Sequence, residues 1–134
     1  MITVKAIVER ASDGTYSVYM DSDRFDYLVT STGSTVAEAI QNFEKNYADI
    51  KSFYEEKGMH FHEVSFNYCY DMASFLAYYS RAFSLAGLSR ITGINQGQLS
   101  HYVTGHRTPS ARTRNRIQDS IHRFAKELSS AVFV

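Results

Sequence analysis

The sequence has no Trp, one Pro (Pro109), one Cys (Cys69) and, with 14 Lys and Arg against 14 Asp and Glu, no formal net charge. A single cysteine leaves no intrachain disulfide and no Cys cluster for zinc, so Cys69 is read as a small buried hydrophobe rather than a nucleophile. No apolar run approaches the ~18 residues that a membrane span requires. The amino terminus, Met1-Ile-Thr-Val-Lys-Ala-Ile-Val-Glu-Arg10, alternates like a strand and lacks a signal peptide's continuous apolar core, so a cytoplasmic protein is expected. At 44% hydrophobic and 21% charged the composition is globular, enough for one domain or two small ones.

The missing net charge is a cancellation. Residues 1–79 carry 6 basic and 12 acidic groups, a net of −6, whereas residues 80–134 carry seven Arg and Lys126 against only Asp119 and Glu127, a net of +6. That asymmetry suggests nucleic acid at one end and a different partner at the other.

Ile2, Val4, Ala6 and Val8 alternate with Thr3 and Lys5, Asp13-Gly14 supplies a turn, and Tyr16, Val18 and Met20 alternate again, which predicts a hairpin. A short strand at Tyr27–Ser31 would extend it. Thr35-x-x-Glu38 has the spacing of a capping box, in which the hydroxyl and the carboxylate each satisfy a free amide at a helix start. Val36, Ile40, Phe43, Tyr47, Ile50 and Tyr54 then form one helical stripe, with Gly58 its stop. Val64, Phe66, Tyr68 and Tyr70 predict a further strand, so the first segment reads β-β-β-α-β within an α+β protein. From Asp71, a candidate N-cap, helical spacing takes over (Phe75, Leu76, Tyr79, Phe83). The boundary is placed near 71–80, giving domains 1–70 and 71–134. The closing Ser129-Ser-Ala-Val-Phe-Val134 is an apolar tail with three options: pairing as a strand, packing on the core, or fraying.

Residues 83–110 carry the most chemistry. Leu85, Leu88 and Ile91 make the apolar face of one short helix, Ser89 is small enough for close helix contact, and Gly93 offers the left-handed backbone of a sharp turn. Ile94 plugs the corner. Asn95 suits the cap of a second helix whose Leu99, Tyr102 and Val103 face inward and which Gly105 ends. Gln96, Gly97, Gln98, Ser100 and His101 are left outward or at the exposed start, where a Gln amide suits adenine's N6 and N7, Gly97 permits close backbone approach and free helix-start amides suit phosphate. After Pro109, Ser110 caps a last helix with an apolar face of Ile117, Ile121, Phe124 and Leu128. Its first half bears Arg112, Arg114 and Arg116, although helix starts favour acids. Either they form a solvated basic face or they meet DNA phosphate, and as a string they favour DNA.

Residues 83–110 resemble the lambda-repressor-like (Xre-type) helix-turn-helix. The resemblance implies operator contacts from Asn95, Gln96, Gly97, Gln98, Ser100 and His101, and phosphate roles for Arg107 and Thr108 in Gly105-His-Arg-Thr-Pro-Ser110. Together with the hairpin Val4–Met20, the segment Thr30-Ser-Thr-Gly-Ser-Thr-Val-Ala-Glu-Ala39 and Phe75-x-x-Tyr78-Tyr79-Ser80, nearly the whole chain resembles the HicB antitoxins of bacterial toxin–antitoxin pairs. Met20-Asp21-Ser22-Asp23 departs from the Pro-Asp pair that members commonly show. The resemblance implies a partial RNase-H-like amino domain that blocks a small, basic, mRNA-cleaving HicA toxin, and an operator-binding dimer that represses its own operon. Asp21, Asp23 and Asp26, with Glu55 and Glu56, would steer a basic toxin; the alternative is that they only keep the domain soluble.

Other readings are weaker. Asp21-x-Asp23-x-x-Asp26 fails as a calcium loop, because position six is Asp26 and position twelve Thr32. His60-x-His62 has no carboxylate or Cys cluster evident locally and lies between a helix stop and a strand, as loop histidines do, and Ser100-His101 is recognition surface rather than a catalytic pair. Asp13 and Asp21 could begin a two-metal nuclease site, yet Asp13 is explained by its turn and no further ligands are fixed. The expectation is therefore a non-enzyme without cofactor or metal. The alternative function is a stand-alone regulator with a ligand-sensing amino domain. A homodimer is expected, since one helix-turn-helix reads few bases and two related by a twofold axis read a pseudo-palindromic operator; the last helix and tail are the candidate contact.

Overall fold

Alternating burial along Ile2–Arg10 makes the first strand, β1, with Val4, Ala6 and Val8 turned inward. Asp13 and Gly14 (φ +85°) turn the chain into β2 (Tyr16–Met20), which runs antiparallel to β1 with Ala6 opposite Met20 and Arg10 opposite Tyr16. β3 (Thr30–Gly33) pairs antiparallel with β2; after α1 (Val36–Glu56), β4 (Val64–Tyr70) lies parallel to β1, Ile2 opposite Val64 and Val8 opposite Tyr70. The mixed sheet has the order β3-β2-β1-β4. The computed structural model describes residues 1–134 and divides into two units, Met1–Asp71 and Met72–Val134.

The third strand begins later than its composition predicts. Tyr27 and Val29 are buried, but the ladder with β2 runs only from Thr30 opposite Tyr19 to Gly33 opposite Tyr16. Tyr27 is held elsewhere, its hydroxyl donating to the His62 carbonyl at 2.6 Å. The predicted stripe on α1 faces inward: Val36, Phe43 and Tyr54 are buried, Ile40, Tyr47 and Ile50 half-buried, and Ala39 joins them fully enclosed. Gly33 makes room for Ala39. A Cβ there would sit 2.5 Å from the Ala39 amide nitrogen, so the missing side chain lets the first turn of α1 close on β3. Thr35 caps the helix as expected, accepting from the Glu38 amide at 3.1 Å.

α1 also closes one edge of the sheet. Asn42 and Asn46 donate to the carbonyls of Thr32 and Thr30 at 2.9 and 2.8 Å, and the buried Ser31 hydroxyl donates to the Ala39 carbonyl at 2.6 Å. Carbonyls that would face solvent along an edge strand are thus satisfied by the helix.

The second unit is helical throughout: α2 (Met72–Tyr79), α3 (Leu85–Thr92), α4 (Gln96–Val103) and α5 (Ala111–Ser129). Its core is Leu76, Leu88, Ile94, Leu99, Tyr102 and Ile117, with Phe75, Phe83, Leu85, Val103 and Ile121 packed around it. The tail does not join that core; Val132, Phe133 and Val134 are fully exposed beyond the end of α5. No helix is long and apolar enough to cross a membrane. Cys69 is half-buried in β4, its thiol 3.5 Å from the Asn67 carbonyl, rather than enclosed.

Candidate nucleic-acid interface

The corner between α3 and α4 is three residues long, and each has one task. Gly93 ends α3 in the left-handed region (φ 72°), its amide donating to the Ser89 carbonyl at 2.8 Å. Ile94 fills the corner at 5% exposure. Asn95 starts α4, its Oδ1 accepting from the Gln98 amide at 2.7 Å. Thr92, for which the apolar pattern gave no signal, joins the parts: its buried hydroxyl donates to the Leu88 carbonyl at 2.7 Å and accepts from the Ile94 amide at 3.2 Å. A Cβ on Gly93 would lie 2.6 Å from the Arg116 guanidinium, so the last helix lays an arginine across this turn.

With Leu99 and Tyr102 inward, α4 exposes Gln96, Gly97 and His101 and half-exposes Ser100. Gln98 differs from the free outward residue expected of it. It is half-buried, and its Nε2 donates to the Tyr102 hydroxyl at 2.6 Å. Asn95 is exposed, with its side-chain oxygen accepting the cap bond from the Gln98 amide. Nothing within the chain requires glycine at Gly97: a Cβ would meet only Asn95 Oδ1, at an ordinary 3.5 Å.

Beyond α4 the loop returns to the same surface. Gly105 (φ 75°) reverses the backbone, the Arg107 amide donates to the His101 carbonyl at 3.2 Å, and the His101 and His106 rings stand 5.0 Å apart. Arg107 and Thr108 are exposed beside the outward face of α4. Ser110 caps α5, accepting from the Thr113 amide at 3.2 Å. Arg112, Arg114 and Arg116 are exposed, but they are not one string. At 3.6 residues per turn Arg112 and Arg116 share a flank of α5 while Arg114 projects roughly 160° away from it. Only Arg112 and Arg116 therefore lie on the flank that reaches the α3–α4 corner.

In the first unit the loop 21–29 is tied to the end of α1 and to residues 58–63. Besides the Tyr27–His62 bond, Tyr54 donates to the Asp26 carbonyl at 3.4 Å, and the Tyr47 hydroxyl donates to the Val64 carbonyl at 3.2 Å while accepting from its amide at 3.0 Å. Phe61 packs against Tyr27, Tyr47 and Tyr54 with ring centroids 4.7–5.5 Å apart. Burial, followed by the neighbouring Tyr47, pushes the Tyr27 hydroxyl up to about 12, which keeps it a donor. On this rigid base Asp21, Asp23, Asp26, Glu55 and Glu56 are exposed and form no ion pair, and Leu28, Phe53 and Met59 remain 60, 51 and 48% exposed. Asp13 belongs to its turn: Oδ1 accepts from the Thr15 amide and hydroxyl at 2.9 and 2.6 Å, bonds that hold its carboxyl below the usual range. His60 and His62 touch edge to face, and no three His, Cys, Asp or Glu side chains converge as a metal site.

Comparison with family models, with curated proteins and with solved structures finds no match to the chain.

Proposed function

We propose that the chain is a HicB-type antitoxin: its second unit binds operator DNA as a dimer, and its first unit binds and neutralises a small basic HicA-type toxin. The observation that carries the DNA half is the pair of eight-residue helices joined at Gly93-Ile94-Asn95, with Gln96, Gly97 and His101 exposed on the second of them. α4 would lie in the major groove with its first turn at the base edges, while Arg107, Arg112 and Arg116 neutralise phosphates. Gly97 supports this. It is the second residue of α4, and no contact within the protein requires glycine there, whereas close approach of a DNA backbone would.

The antitoxin half draws on the strand order β3-β2-β1-β4 with one crossover helix, the arrangement expected of a partial RNase-H-like domain. It draws further on the exposed carboxylates Asp21, Asp23, Asp26, Glu55 and Glu56 and on the exposed Leu28, Phe53 and Met59 of this unit. Exposed apolar residues on a unit of net charge −6 suit a basic protein, since complementary charge speeds encounter and apolar contact slows release. Self-association would use Leu128 and the tail, where the apolar stripe of α5 outruns the core. Removing Val132–Val134 should lower the mass seen by light scattering.

The test is genetic and biochemical. A neighbouring reading frame of about the size of one small domain, toxic when expressed alone and harmless with this chain, supports the antitoxin. The Asp21→Asn, Asp23→Asn, Asp26→Asn triple variant should bind that toxin more slowly at low salt. With no such neighbour, and an amino unit that binds a small molecule, the stand-alone regulator would replace it.

A further inference from the structure

We propose that Tyr102 is a positioning residue for base readout, its hydroxyl holding the Gln98 amide in the orientation in which it meets DNA. The inference rests on the DNA-binding reading of α4.

Tyr102 is 4% exposed and packs in the core with Leu88, Ile94, Leu99 and Ile117, a place where phenylalanine would supply the same apolar area. The hydroxyl is the part that packing does not explain. It emerges one turn along α4 from Gln98 and accepts from Nε2 at 2.6 Å. The amide nitrogen carries two hydrogens and this bond uses one, so Oε1 and the second hydrogen stay available for the paired contact with adenine N6 and N7. Meanwhile the Gln98 backbone amide is fixed by Asn95 Oδ1 at 2.7 Å. Backbone and side chain of one residue are thus both held before any ligand arrives. A free glutamine would have to be immobilised on binding, at a cost that a pre-held one avoids. Gln96, exposed and without such a bond, is the internal control.

Tyr102→Phe removes the hydroxyl and leaves the ring, so the core survives and Gln98 is released. A duplex selected by the full-length wild-type protein from a randomised library, and an unrelated duplex of equal length, are the probes. Tyr102→Phe is expected to lose about five- to tenfold affinity for the selected duplex, the worth of one net hydrogen bond, with no change on the unrelated one. In a Gln98→Ala background Tyr102→Phe should cost nothing more, while in a Gln96→Ala background its full loss should remain. Equal losses on both duplexes, or full additivity with Gln98→Ala, would overturn the proposal. A fold-independent arm uses the free wild type: the side-chain amide of Gln98 should relax as an ordered group and that of Gln96 as a mobile one, and equal mobility overturns the proposal as well. A wild type that enriches no sequence sinks the DNA reading and this inference together; an enriched sequence with unaltered Tyr102→Phe specificity sinks the inference alone.

Discussion

The two units use their polar side chains in opposite ways. In Met1–Asp71 the amides of Asn42 and Asn46 and the hydroxyls of Ser31, Tyr27, Tyr47 and Tyr54 all donate to backbone carbonyls, closing a sheet edge and pinning a loop. In Met72–Val134 the hydrogen-bonded polar groups concentrate at helix caps and at the α3–α4 corner, and Gln96, His101, Arg107, Arg112 and Arg114 are exposed. The first unit is thus a sheet and helix braced through their backbone with net charge −6, the second a small helical core with net charge +6. Charge sign alone would make the units mirror images. Their bonding separates them: side chains brace a sheet edge and a loop in the first, and helix ends and one corner in the second.

The largest expected break in that comparison is Gly33→Ala. The new Cβ, 2.5 Å from the Ala39 nitrogen, would push α1 off β3 and cost the first unit about 2–3 kcal/mol, an overpacking penalty read by denaturant unfolding. If the units are independently bonded, DNA affinity should be unaltered. Gly97→Ala sharpens the contrast from the other side: stability should hold or rise slightly, since Gly97 lies in the first turn of α4, while DNA affinity falls, a trade that thermal melting and anisotropy together would reveal. A gain in both would mean that nothing approaches Gly97. The smallest effect is alkaline. Burial raises both Tyr27 and Tyr68 to about 12, Tyr68 with added repulsion from Glu44, so their neutral forms favour the folded state. Since the folded value exceeds the unfolded one, that stability is complete below about pH 10 and is lost as pH climbs towards 12. Absorbance of the phenolate should show these two titrating late, and replacing them with Phe should flatten the alkaline loss.

Much of this was legible in the residues, for a physical reason that varies by place. Period-2 runs gave β1, β2 and β4, and the capping residues Thr35, Asn95 and Ser110 stand where their side-chain chemistry demands. The late start of β3 was not legible, since Tyr27 and Val29 look like strand residues, whereas β2 ends at Met20, whose amide donates to the Val29 carbonyl at 2.9 Å, and leaves Tyr27 no partner in the ladder. Nor was the Gln98–Tyr102 bond, because a core tyrosine and a surface glutamine four residues apart read as packing and solvent, each alone. The arginines of α5 looked continuous along the sequence, and the helix turn separates Arg114 from the others.

The proposal that zero net charge hides two opposed partners is tested most directly by the salt dependence of duplex binding by the full chain. The logarithm of the affinity should fall steeply with salt, with a slope smaller by about one for Arg107→Ala and unaltered for the Asp21→Asn, Asp23→Asn, Asp26→Asn variant. Binding indifferent to salt, or a slope that moves as much with the three carboxylates as with Arg107, would contradict it.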